Sequence, residues 1–422
     1  MTFAPETATL AQWLQRLESQ HPTEIELGLA RVKSVGEKLD CLRPAPLVIL
    51  VGGTNGKGTT SALLAALLRA QGLKVGVYCS PHIHRYNERV VVDGAEVSDE
   101  QLCASFRAVE AVRGDTSLTY FEAGTLSALW CFAQQKVDAC VLEIGLGGRL
   151  DAVNIVEPDV SVVTSVGLDH QAWLGNTLDE IAYEKVSIAR PGQYLICGQP
   201  NPPARARATA DKIGAHWLGR GEDFSVEPLA DALSVRFSYQ GEQVYWHLPQ
   251  AQIPYHNVAT AIQTLAAIGR LPAQAVVADV VKKLRVPGRL QTFVREREGR
   301  TLRLTLDVAH NEQAAEYIGR ALQQVDGIIL GMLADKDAAA VARVLPQADQ
   351  ILLVGLDGPR GLNAETLAVK AGFGQPVQQF NDVAAAMRRL PQEGHWLVCG
   401  SFYTVEAAME VIRQEAQDWN SI

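Results

Sequence analysis

The sequence predicts an α/β protein with an N-terminal ATPase domain of the P-loop type and a Rossmann-like C-terminal domain. Short apolar runs alternate with amphipathic helical stretches, a glycine-rich turn joins one such run to a helix near residue 50, and the alternation restarts near residue 290. A chain of 422 residues is also too long for one core. We therefore expect one domain over residues 1–290 and a second over residues 291–422.

The first domain is predicted to contain a mostly parallel sheet that is covered by helices on both faces. Its candidate strands are Leu47–Val51, Lys74–Cys79, Ala139–Ile144, Val160–Val166 and Tyr194–Cys197, and its clearest helices are Thr59–Ala70 and Glu122–Gln135. Apolar and polar residues alternate over Leu233–Leu248 on either side of Gly241. This pattern predicts a small antiparallel hairpin added to the main sheet.

The second domain follows Pro287-Gly288-Arg289 and has the same alternating pattern. Its predicted strands are Leu302–Val308, Gly327–Met332, Gln350–Gly355 and His395–Cys399, and its predicted helices include Glu312–Gln324 and Val405–Gln417. Ligands of open α/β sheets bind beyond the carboxyl ends of the strands. Polar residues at those ends are therefore the candidates for chemistry.

The glycine-rich turn reads GGTNGKGTT over Gly52–Thr60, between an apolar strand and a helix. Backbone N–H groups and the helix dipole at such a turn can hold phosphate groups, and Lys57 adds a mobile cation. The common phosphate-loop pattern begins with a glycine and has Ser or Thr directly after the lysine. In this chain Val51 occupies the first of these positions and Gly58 the second. We interpret the segment as a variant phosphate loop that binds a nucleoside triphosphate, and the alternative is a plain strand-to-helix turn.

Composition limits the classes of function. The formal net charge is −9, with 47% hydrophobic and 20% charged residues, which describes a globular protein and argues against a nucleic-acid scaffold. No apolar run is long enough to cross a bilayer, and Met1–Gln15 lacks the pattern of a secretory signal. The seven cysteines form no CxxC pair, and several lie in apolar strand-like runs. A reducing cytoplasm is the expected location.

Three polar residues follow predicted strands and could meet near the phosphate loop. Ser80 precedes Pro81, Glu143 ends an apolar run, and His170 follows the run that begins at Thr164. Magnesium prefers oxygen ligands and keeps several waters, so one or two of these side chains would suffice to bind it. The imidazole of His170 is a softer donor than this metal prefers. Each residue alone also has a purely structural interpretation.

Several motifs together make the chain resemble a known family. They are Gly53-Thr54-Asn55-Gly56-Lys57-Gly58-Thr59, Ser80-Pro81-His82, Leu142-Glu143-Ile144-Gly145-Leu146-Gly147-Gly148-Arg149-Leu150-Asp151, Leu168-Asp169-His170, Pro287-Gly288-Arg289 and Asp307-Val308-Ala309-His310-Asn311. In this order they resemble the bacterial bifunctional dihydrofolate synthase/folylpolyglutamate synthases, which are relatives of the Mur ligases. The resemblance covers about residues 10–415.

The resemblance implies an enzyme that couples ATP cleavage to amide formation. A carboxylate of dihydropteroate or of a reduced folate attacks the γ-phosphate, and the amine of L-glutamate displaces phosphate from the acyl phosphate. ATP, Mg²⁺, dihydropteroate, reduced folates and L-glutamate are the implied small-molecule partners. The family also implies a monomer without a nucleic-acid or membrane partner.

Individual roles are carried over from the family by position. The implied ATP contacts are Thr54, Asn55, Gly56, Lys57, Asn257, Arg289 and Asp307. The implied magnesium residues are Ser80, Glu143 and His170, and the residues closest to the chemistry are Lys57, Arg289, His170 and Lys185. From sequence alone Asn257 would be a helix N-cap and Arg289 an ordinary linker residue.

The pterin side of the substrate is carried over onto three separate segments. They are Ile25-Glu26-Leu27, Thr119-Tyr120-Phe121-Glu122 and Leu150-Asp151-Ala152. An aromatic ring with carboxylates nearby suits a flat heteroaromatic ligand. Without the resemblance, Tyr120 and Phe121 would be interpreted as core packing at a helix start.

The resemblance also implies that Lys185 can carry a carbamate formed with CO₂, which requires a neutral amine. The alternative is a solvated helix lysine. Two other functions stay open at this stage, a monofunctional folylpolyglutamate synthase and a regulatory nucleotide-binding module without ligase activity. The segment from Leu118 to Glu122 favours the bifunctional enzyme, by similarity only.

Overall fold

The computed structural model describes residues 4–23 and 25–421 and divides the chain into two compact units, Met1–Leu284 and Arg285–Ile422. Both units are α/β with a mostly parallel sheet, so the predicted fold class is confirmed. None of the helices in the described ranges has the length and apolarity needed to cross a bilayer.

The division lies between Leu284 and Arg285, just before the Pro287–Arg289 segment. Backbone hydrogen bonds explain this position. The Val308 N–H donates to the Gly288 carbonyl at 3.0 Å, and the Leu290 N–H donates to the Asp307 carboxylate at 2.9 Å. The segment is thereby attached to the second unit.

The first unit begins with two helices and then alternates strands and helices. Its helices are α1 Leu10–Ser19, α2 Ala30–Lys38, α3 Lys57–Arg69, α4 Asp99–Arg113, α5 Tyr120–Gln135, α6 Gln171–Leu174, α7 Leu178–Val186, α8 Ala204–Ile213, α9 Tyr255–Ala267 and α10 Gln274–Lys283, with 3₁₀ helices at Tyr86–Arg89 and Ala152–Ile155. Its strands are β1 Leu47–Gly52, β2 Val75–Tyr78, β3 Val90–Val92, β4 Ala95–Glu96, β5 Ala139–Glu143, β6 Val160–Val163, β7 Tyr194–Cys197, β8 His216–Gly219, β9 Ser225–Pro228, β10 Ala232–Tyr239 and β11 Glu242–Pro249.

The main sheet of this unit has the strand order β4-β3-β2-β5-β1-β6-β7-β8. The six neighbouring strands β2, β5, β1, β6, β7 and β8 run parallel to one another. Strands β3 and β4 pair antiparallel at the edge next to β2. Strand β1 lies in the middle, and Val48, Ile49 and Leu50 are completely buried. A strand covered on both faces reads as a continuous apolar run, which is why the sequence located it.

The predicted hairpin exists, but its placement in the main sheet is wrong. Strands β10 and β11 pair antiparallel in full register and join β9 in a separate three-stranded sheet. Helix α9 packs on this small sheet, and the buried Gln263 side chain hydrogen-bonds both backbone groups of Ser238. The hairpin therefore covers a helix instead of extending the main sheet.

Two segments near the predicted phosphate site differ from the expected boundaries. Gly56 has a left-handed backbone (φ 84°) and caps α3, so the helix begins at Lys57, two residues before the predicted start at Thr59. Strand β6 ends at Val163 and not at Val166. His170 therefore lies in a loop beyond the strand, and its expected place at a strand end is wrong.

The second unit has a seven-stranded sheet with the order β16-β15-β14-β17-β13-β12-β18. Its strands are β12 Gln291–Arg297, β13 Arg300–Leu306, β14 Gln324–Leu330, β15 Gln347–Val354, β16 Gln378–Phe380, β17 Gly394–Cys399 and β18 Trp419–Ser421. Its helices are α11 Glu312–Leu322, α12 Ala338–Val344, α13 Ala364–Ala371, α14 Val383–Met387 and α15 Phe402–Gln414.

The strands β13, β14, β15 and β17 form the predicted parallel part of this sheet. The sequence did not indicate the other three strands, which are the parallel β16 and the antiparallel β12 and β18. Helix α15 starts at Phe402 instead of Val405. Ser401 explains the earlier start because its hydroxyl accepts a hydrogen bond from the Thr404 N–H at 3.0 Å.

Candidate functional site

The phosphate loop is fixed by the segment that follows β6. The Thr54 N–H donates to the Ser165 carbonyl and the Asn55 N–H donates to the Ser165 hydroxyl, both at 2.9 Å. The Thr164 hydroxyl donates to the Asn55 carbonyl at 2.6 Å. The loop therefore has a set shape before any ligand arrives, and the positive end of helix α3 stands behind it.

Two glycines in the loop cannot carry a side chain. A Cβ atom at Gly53 would lie 1.9 Å from the Thr164 hydroxyl oxygen, and one at Gly56 would lie 2.8 Å from Asn257 Oδ1. The backbone at both positions has positive φ. The loop packs this closely against its neighbours because these two residues are glycine.

Asn257 is not a helix N-cap, so that alternative is wrong. Pro254 occupies the N-cap of α9, and Asn257 lies in the first turn with its side chain against Gly56. It is 1% exposed, and its amide nitrogen has no hydrogen-bond partner within the described residues. A buried donor without an acceptor beside a phosphate loop fits the predicted nucleotide contact.

Lys57 places its ammonium group over the loop. Its Nζ donates to the carbonyls of Gly53 and Thr54 at 3.2 and 3.3 Å. Both hydrogen-bond partners are neutral carbonyls, so the ammonium can still interact with an anion. The geometry agrees with the predicted phosphate-binding role.

Glu143 is the last residue of β5 and is 4% exposed. Its Oε2 lies 3.5 Å from where a Gly58 Cβ would be, so the carboxylate faces the start of α3. The thiol of Cys79 hydrogen-bonds this carboxylate, and burial together with the carboxylate charge raises the pKa of Cys79 well above its usual value. Glu143 thus brings a buried negative charge next to the phosphate loop.

Lys185 lies on α7 and is 3% exposed. Burial, and secondarily the charge of Lys57, lowers the pKa of Lys185 to about 7, while Asp169 and Asp151 oppose the shift. The alternative of a solvated helix lysine is therefore wrong. An amine that is neutral near pH 7 can react with CO₂.

Asp151 is a buried carboxylate that organises the segment after β5. It accepts hydrogen bonds from the Leu146 N–H at 2.8 Å and from the Val153 N–H at 2.9 Å. Burial raises the pKa of Asp151 to about 6, although these backbone donors and Lys57 act against the shift. The loop between β5 and the 3₁₀ helix at Ala152–Ile155 thus folds around this side chain.

The other two predicted metal residues, Ser80 and His170, lie beyond the ends of strands β2 and β6. Ser80 is half-buried and lies two residues after β2. The His170 side chain is 41% exposed, and its Nε2 is 3.9 Å from Asp169. Among the described residues, no three His, Cys, Asp or Glu side chains are grouped as a ready-made metal site. The structure therefore brings Glu143 to the loop.

Arg31 connects two of the three predicted pterin segments. Its guanidinium pairs with Glu26 through Nη1 and donates to Glu122 Oε1 at 2.8 Å through Nη2. Glu122 is buried, and its other oxygen accepts a hydrogen bond from the Thr119 N–H at 2.8 Å, which caps α5. His21 contacts the second oxygen of Glu26 at 2.8 Å.

Phe121 packs on the turn that precedes the third pterin segment. A Cβ at Gly145 would lie 2.5 Å from the Phe121 ring, so the ring packs directly on the glycine-rich turn after β5. Tyr120 is half-buried and meets Tyr86 edge-on, with ring centroids 5.8 Å apart. These contacts place an aromatic wall beside the segment that contains Leu150, Asp151 and Ala152.

An Arg89 side chain lies against this aromatic wall. Its guanidinium carbon is 5.3 Å from the Tyr120 ring centroid and 5.4 Å from that of Tyr86. Its Nε donates to His82 Nδ1 at 2.8 Å. Burial, followed by the Arg89 charge, lowers the pKa of His82 to about 4, so this imidazole is neutral at pH 7.

The second unit contains the remaining two predicted ATP residues. Asp307 is buried and accepts hydrogen bonds from the Leu290 and Ala309 N–H groups at 2.9 Å. Burial raises the pKa of Asp307, and Arg289 opposes that shift. Arg289 is half-buried with its guanidinium carbon 5.4 Å from the Phe402 ring centroid. It is not an ordinary linker residue.

Sequence reasoning missed several residues of this site. Thr164 and Ser165 fix the phosphate loop, Arg31 joins two pterin segments, and Cys79 contacts Glu143. The hydroxyls directly after a strand could have been noticed as strand-end residues. Nothing in the local sequence pairs Arg31 with a carboxylate on a distant helix.

Two family models match the chain. The Mur ligase middle domain matches residues 51–256, which include the phosphate loop and Lys185. The Mur ligase glutamate ligase domain matches residues 288–402, which include Arg289 and Asp307.

Full-length relatives extend these matches. The chain is 44% identical over 421 residues to the dihydrofolate synthase/folylpolyglutamate synthase of Escherichia coli K12, covering 97% of each chain. It is 39% identical over 436 residues to the protein of the same name from Haemophilus influenzae, covering 96% of this chain and 98% of the relative.

Solved structures agree with the sequence matches. A structure of E. coli FolC in complex with DHPP and ADP has a TM-score of 0.90 and 42% identity, covering 98% of this chain and 100% of that chain. The Yersinia pestis bifunctional folylpolyglutamate synthase/dihydrofolate synthase with AMPPNP and Mn ion has a TM-score of 0.89 and 40% identity, with the same coverage. The chain therefore belongs to the dihydrofolate synthase/folylpolyglutamate synthase family of the Mur ligases.

Proposed function

We propose that this protein is an ATP-dependent ligase that adds L-glutamate to 7,8-dihydropteroate, forming dihydrofolate, and to the γ-carboxylate of reduced folates. The proposal rests on one turn of the chain that contributes to both the phosphate site and the pterin site. Strand β5 ends at Glu143 beside the phosphate loop, and the turn that follows it contains Gly145, which packs on Phe121 of the pterin segment. One turn thus joins a site for phosphate to a site for an aromatic acid.

The reaction follows from the chemistry of the groups involved. A carboxylate oxygen of the acid attacks the γ-phosphorus of ATP, and ADP leaves. The neutral amine of L-glutamate then attacks the acyl carbon of the acyl phosphate, an amide forms, and inorganic phosphate leaves. An ionised carboxylate is unreactive toward amines at neutral pH, and phosphorylation supplies the leaving group.

The protein contributes mainly positions and charge. We assign Thr54, Asn55, Gly56, Lys57 and Asn257 to the phosphates and the nucleotide. The fixed loop shape and the orphaned Asn257 amide support this assignment because donors that are already oriented lose little freedom on binding. Arg289 and Asp307 of the second unit are assigned to ATP on the resemblance, and Arg289 would offset the growing charge of the transferred phosphoryl group.

The residues near the phosphate loop fit a magnesium ion. The buried Glu143 carboxylate and the Ser80 hydroxyl are oxygen donors of the kind that Mg²⁺ prefers. His170 is assigned as a third ligand by resemblance. When bound, the ion would neutralise charge on the phosphate oxygens. A carbamate on Lys185 would add another carboxylate, and the buried amine with its pKa near 7 supports that modification.

We assign the pterin-bearing acid to the pocket bounded by Ile25, Glu26 and Leu27, by Thr119, Tyr120, Phe121 and Glu122, and by Leu150, Asp151 and Ala152. The Arg31 pairs support the assignment because they join the first two segments, and Phe121 packs on the turn that leads to the third. We further propose that the protein acts in the cytoplasm, and the seven free cysteines of the described chain are consistent with a reducing compartment. The proposed monomeric state is carried over from the family resemblance alone.

The test is phosphate release from ATP and Mg²⁺ with dihydropteroate and L-glutamate. Release should require all four compounds and yield dihydrofolate, and reduced folates should replace dihydropteroate. Full-rate ATP hydrolysis without L-glutamate would refute the ligase and favour a nucleotide-binding module.

A second candidate is a monofunctional folylpolyglutamate synthase. A relative named folylpolyglutamate synthase from Lacticaseibacillus casei is 32% identical over 391 residues and favours it. Activity with reduced folates but none with dihydropteroate would select this candidate.

A further inference from the structure

The Phe402 ring is close to two polar residues of the second unit. The Arg289 guanidinium carbon is 5.4 Å from its centroid, and the His310 ring centroid is 6.3 Å away with an interplanar angle of 48°. Phe402 is the first residue of α15, directly after β17. No role was assigned to it from the sequence.

Arg289 has few other restraints on its side chain. Within the described residues, its guanidinium forms no ion pair and donates no hydrogen bond. The nearby Asp307 uses both carboxylate oxygens on the backbone N–H groups of Leu290 and Ala309. The donors of Arg289 therefore remain available to an anionic ligand, while an aromatic ring supports one face of the guanidinium.

The backbone on both sides of Arg289 is fixed. Gly288 and Leu290 have φ angles of 63° and 48°, and Leu290 is held by its hydrogen bond to Asp307. Since the base of the side chain is held in this way, the contact with Phe402 decides where the guanidinium lies.

The ring itself is held by a buried helix cap. Thr404 donates from its N–H to the Ser401 hydroxyl at 3.0 Å and from its own hydroxyl to the Gly331 carbonyl at 2.8 Å. Both side chains are buried. Phe402 therefore stands on a rigid support, as an effective positioning residue must.

We propose that Phe402 is a positioning residue that holds the Arg289 guanidinium, by a cation–π contact, in the orientation in which it meets the transferring phosphoryl group. The inference rests on the proposed ATP contact of Arg289. Without the ring, the long arginine side chain would sample more rotamers and be aligned with the phosphate in fewer of them.

The experiment compares full-length variants in the glutamate-dependent phosphate-release assay. Phe402→Leu removes the ring and keeps an apolar side chain, whereas Phe402→Tyr keeps the ring. Tyr403→Leu is the matched control, because it changes the neighbouring side chain of the same helix, which is 54% exposed. A cation–π contact predicts a loss of about three- to thirtyfold in kcat/KM for ATP in Phe402→Leu. Phe402→Tyr and Tyr403→Leu should stay within about twofold of the wild type.

A double-mutant cycle with Arg289→Ala separates positioning from general packing. If Phe402 acts through Arg289, Phe402→Leu should cost less than about twofold in the Arg289→Ala background. An equal loss in both backgrounds, or wild-type kinetics of Phe402→Leu, would overturn the inference. Should Phe402→Leu fail to fold, as judged by thermal unfolding, Phe402→Met takes its place and the same criteria apply.

The outcome for Arg289→Ala alone tests the underlying assignment. If Arg289→Ala is impaired and Phe402→Leu is not, the positioning role falls and the ATP contact stands. If Arg289→Ala itself keeps wild-type activity, the ATP contact is refuted and the positioning role falls with it.

Discussion

The buried amine of Lys185 predicts a pH-dependent modification by CO₂. The side chain is 3% exposed, and burial together with the Lys57 charge lowers its pKa to about 7. An exposed lysine has a pKa of about 10.4, so fewer than about one in a thousand of its amines are neutral at pH 7, compared with about half at Lys185. The difference corresponds to about 5 kcal/mol against the charged form.

The direction of the pH dependence follows from this value. The neutral amine attacks CO₂, a nitrogen–carbon bond forms, and a proton is released, so the carbamate needs the deprotonated side chain. With dissolved CO₂ held constant, the neutral fraction of Lys185 should rise from about one-tenth at pH 6 to about nine-tenths at pH 8. The carbamate should increase in parallel.

Carbon NMR of the protein under ¹³C-labelled CO₂ measures this directly. One carbamate signal should grow from pH 6 to pH 8, disappear in Lys185→Met and persist in the control Lys212→Met, which removes an exposed lysine of α8. In Lys57→Ala the midpoint should move to higher pH, because a neighbouring positive charge is gone. No signal at pH 8, or a signal that survives Lys185→Met, would refute the reasoning.

Three further substitutions test the phosphate loop, the metal and the pterin pocket. Lys57→Ala should reduce glutamate-dependent phosphate release by about a hundredfold or more because it removes the loop cation, while the unfolding midpoint stays near that of the wild type. Glu143→Gln should abolish turnover or weaken the magnesium requirement, and unchanged magnesium titrations would contradict the assignment. Arg31→Met should raise the KM for dihydropteroate more than the KM for ATP and cost about 2–4 kcal/mol of stability, because it leaves the buried Glu122 carboxylate without its charged partner. Arg16→Met breaks the Arg16–Glu110 pair elsewhere in this unit and is the control, so equal KM effects in both variants would argue against a role for Arg31 in the pocket.

The sequence predicted the strands and turns whose structure depends mainly on their own residues. The buried strands β1 and β5 read as continuous apolar runs, and the phosphate loop has glycines where the backbone requires them. Strand β12, in contrast, reads QTFVRER, with exposed charges near its end, and it pairs antiparallel with β13. Such a strand is specified by its partner, and its own pattern resembles that of a loop.

The errors near the site also arise because contacts with distant parts of the chain determine the local structure. The β-branched residues Thr164 and Val166 after Val163 suggest a longer β6. However, the Gly167 N–H donates to the Thr54 hydroxyl at 2.9 Å, and this contact turns the chain toward the phosphate loop. Arg31 and Glu122 are 91 positions apart, and no spacing rule connects them. Contacts of this kind depend on the folded chain and cannot be read from a single segment.

Strand register determines the geometry of the candidate site. Val51 of β1 pairs with Glu143 of β5, and Gly52 pairs with Val163 of β6. The first pairing places the Glu143 carboxylate beside the turn that starts the phosphate loop, and the second places Thr164 and Ser165 beside the loop backbone.

A slip of β5 by one residue would reverse the faces of its side chains and point Glu143 away from the loop. The apolar residues that hold this register, Ile49 and Leu50 in β1 and Val141 and Leu142 in β5, are completely buried and pair with one another. The hydrophobic core therefore fixes the distance between a phosphate-binding backbone and the carboxylate proposed for the metal. Core substitutions that shift β5 should lower activity before they unfold the protein.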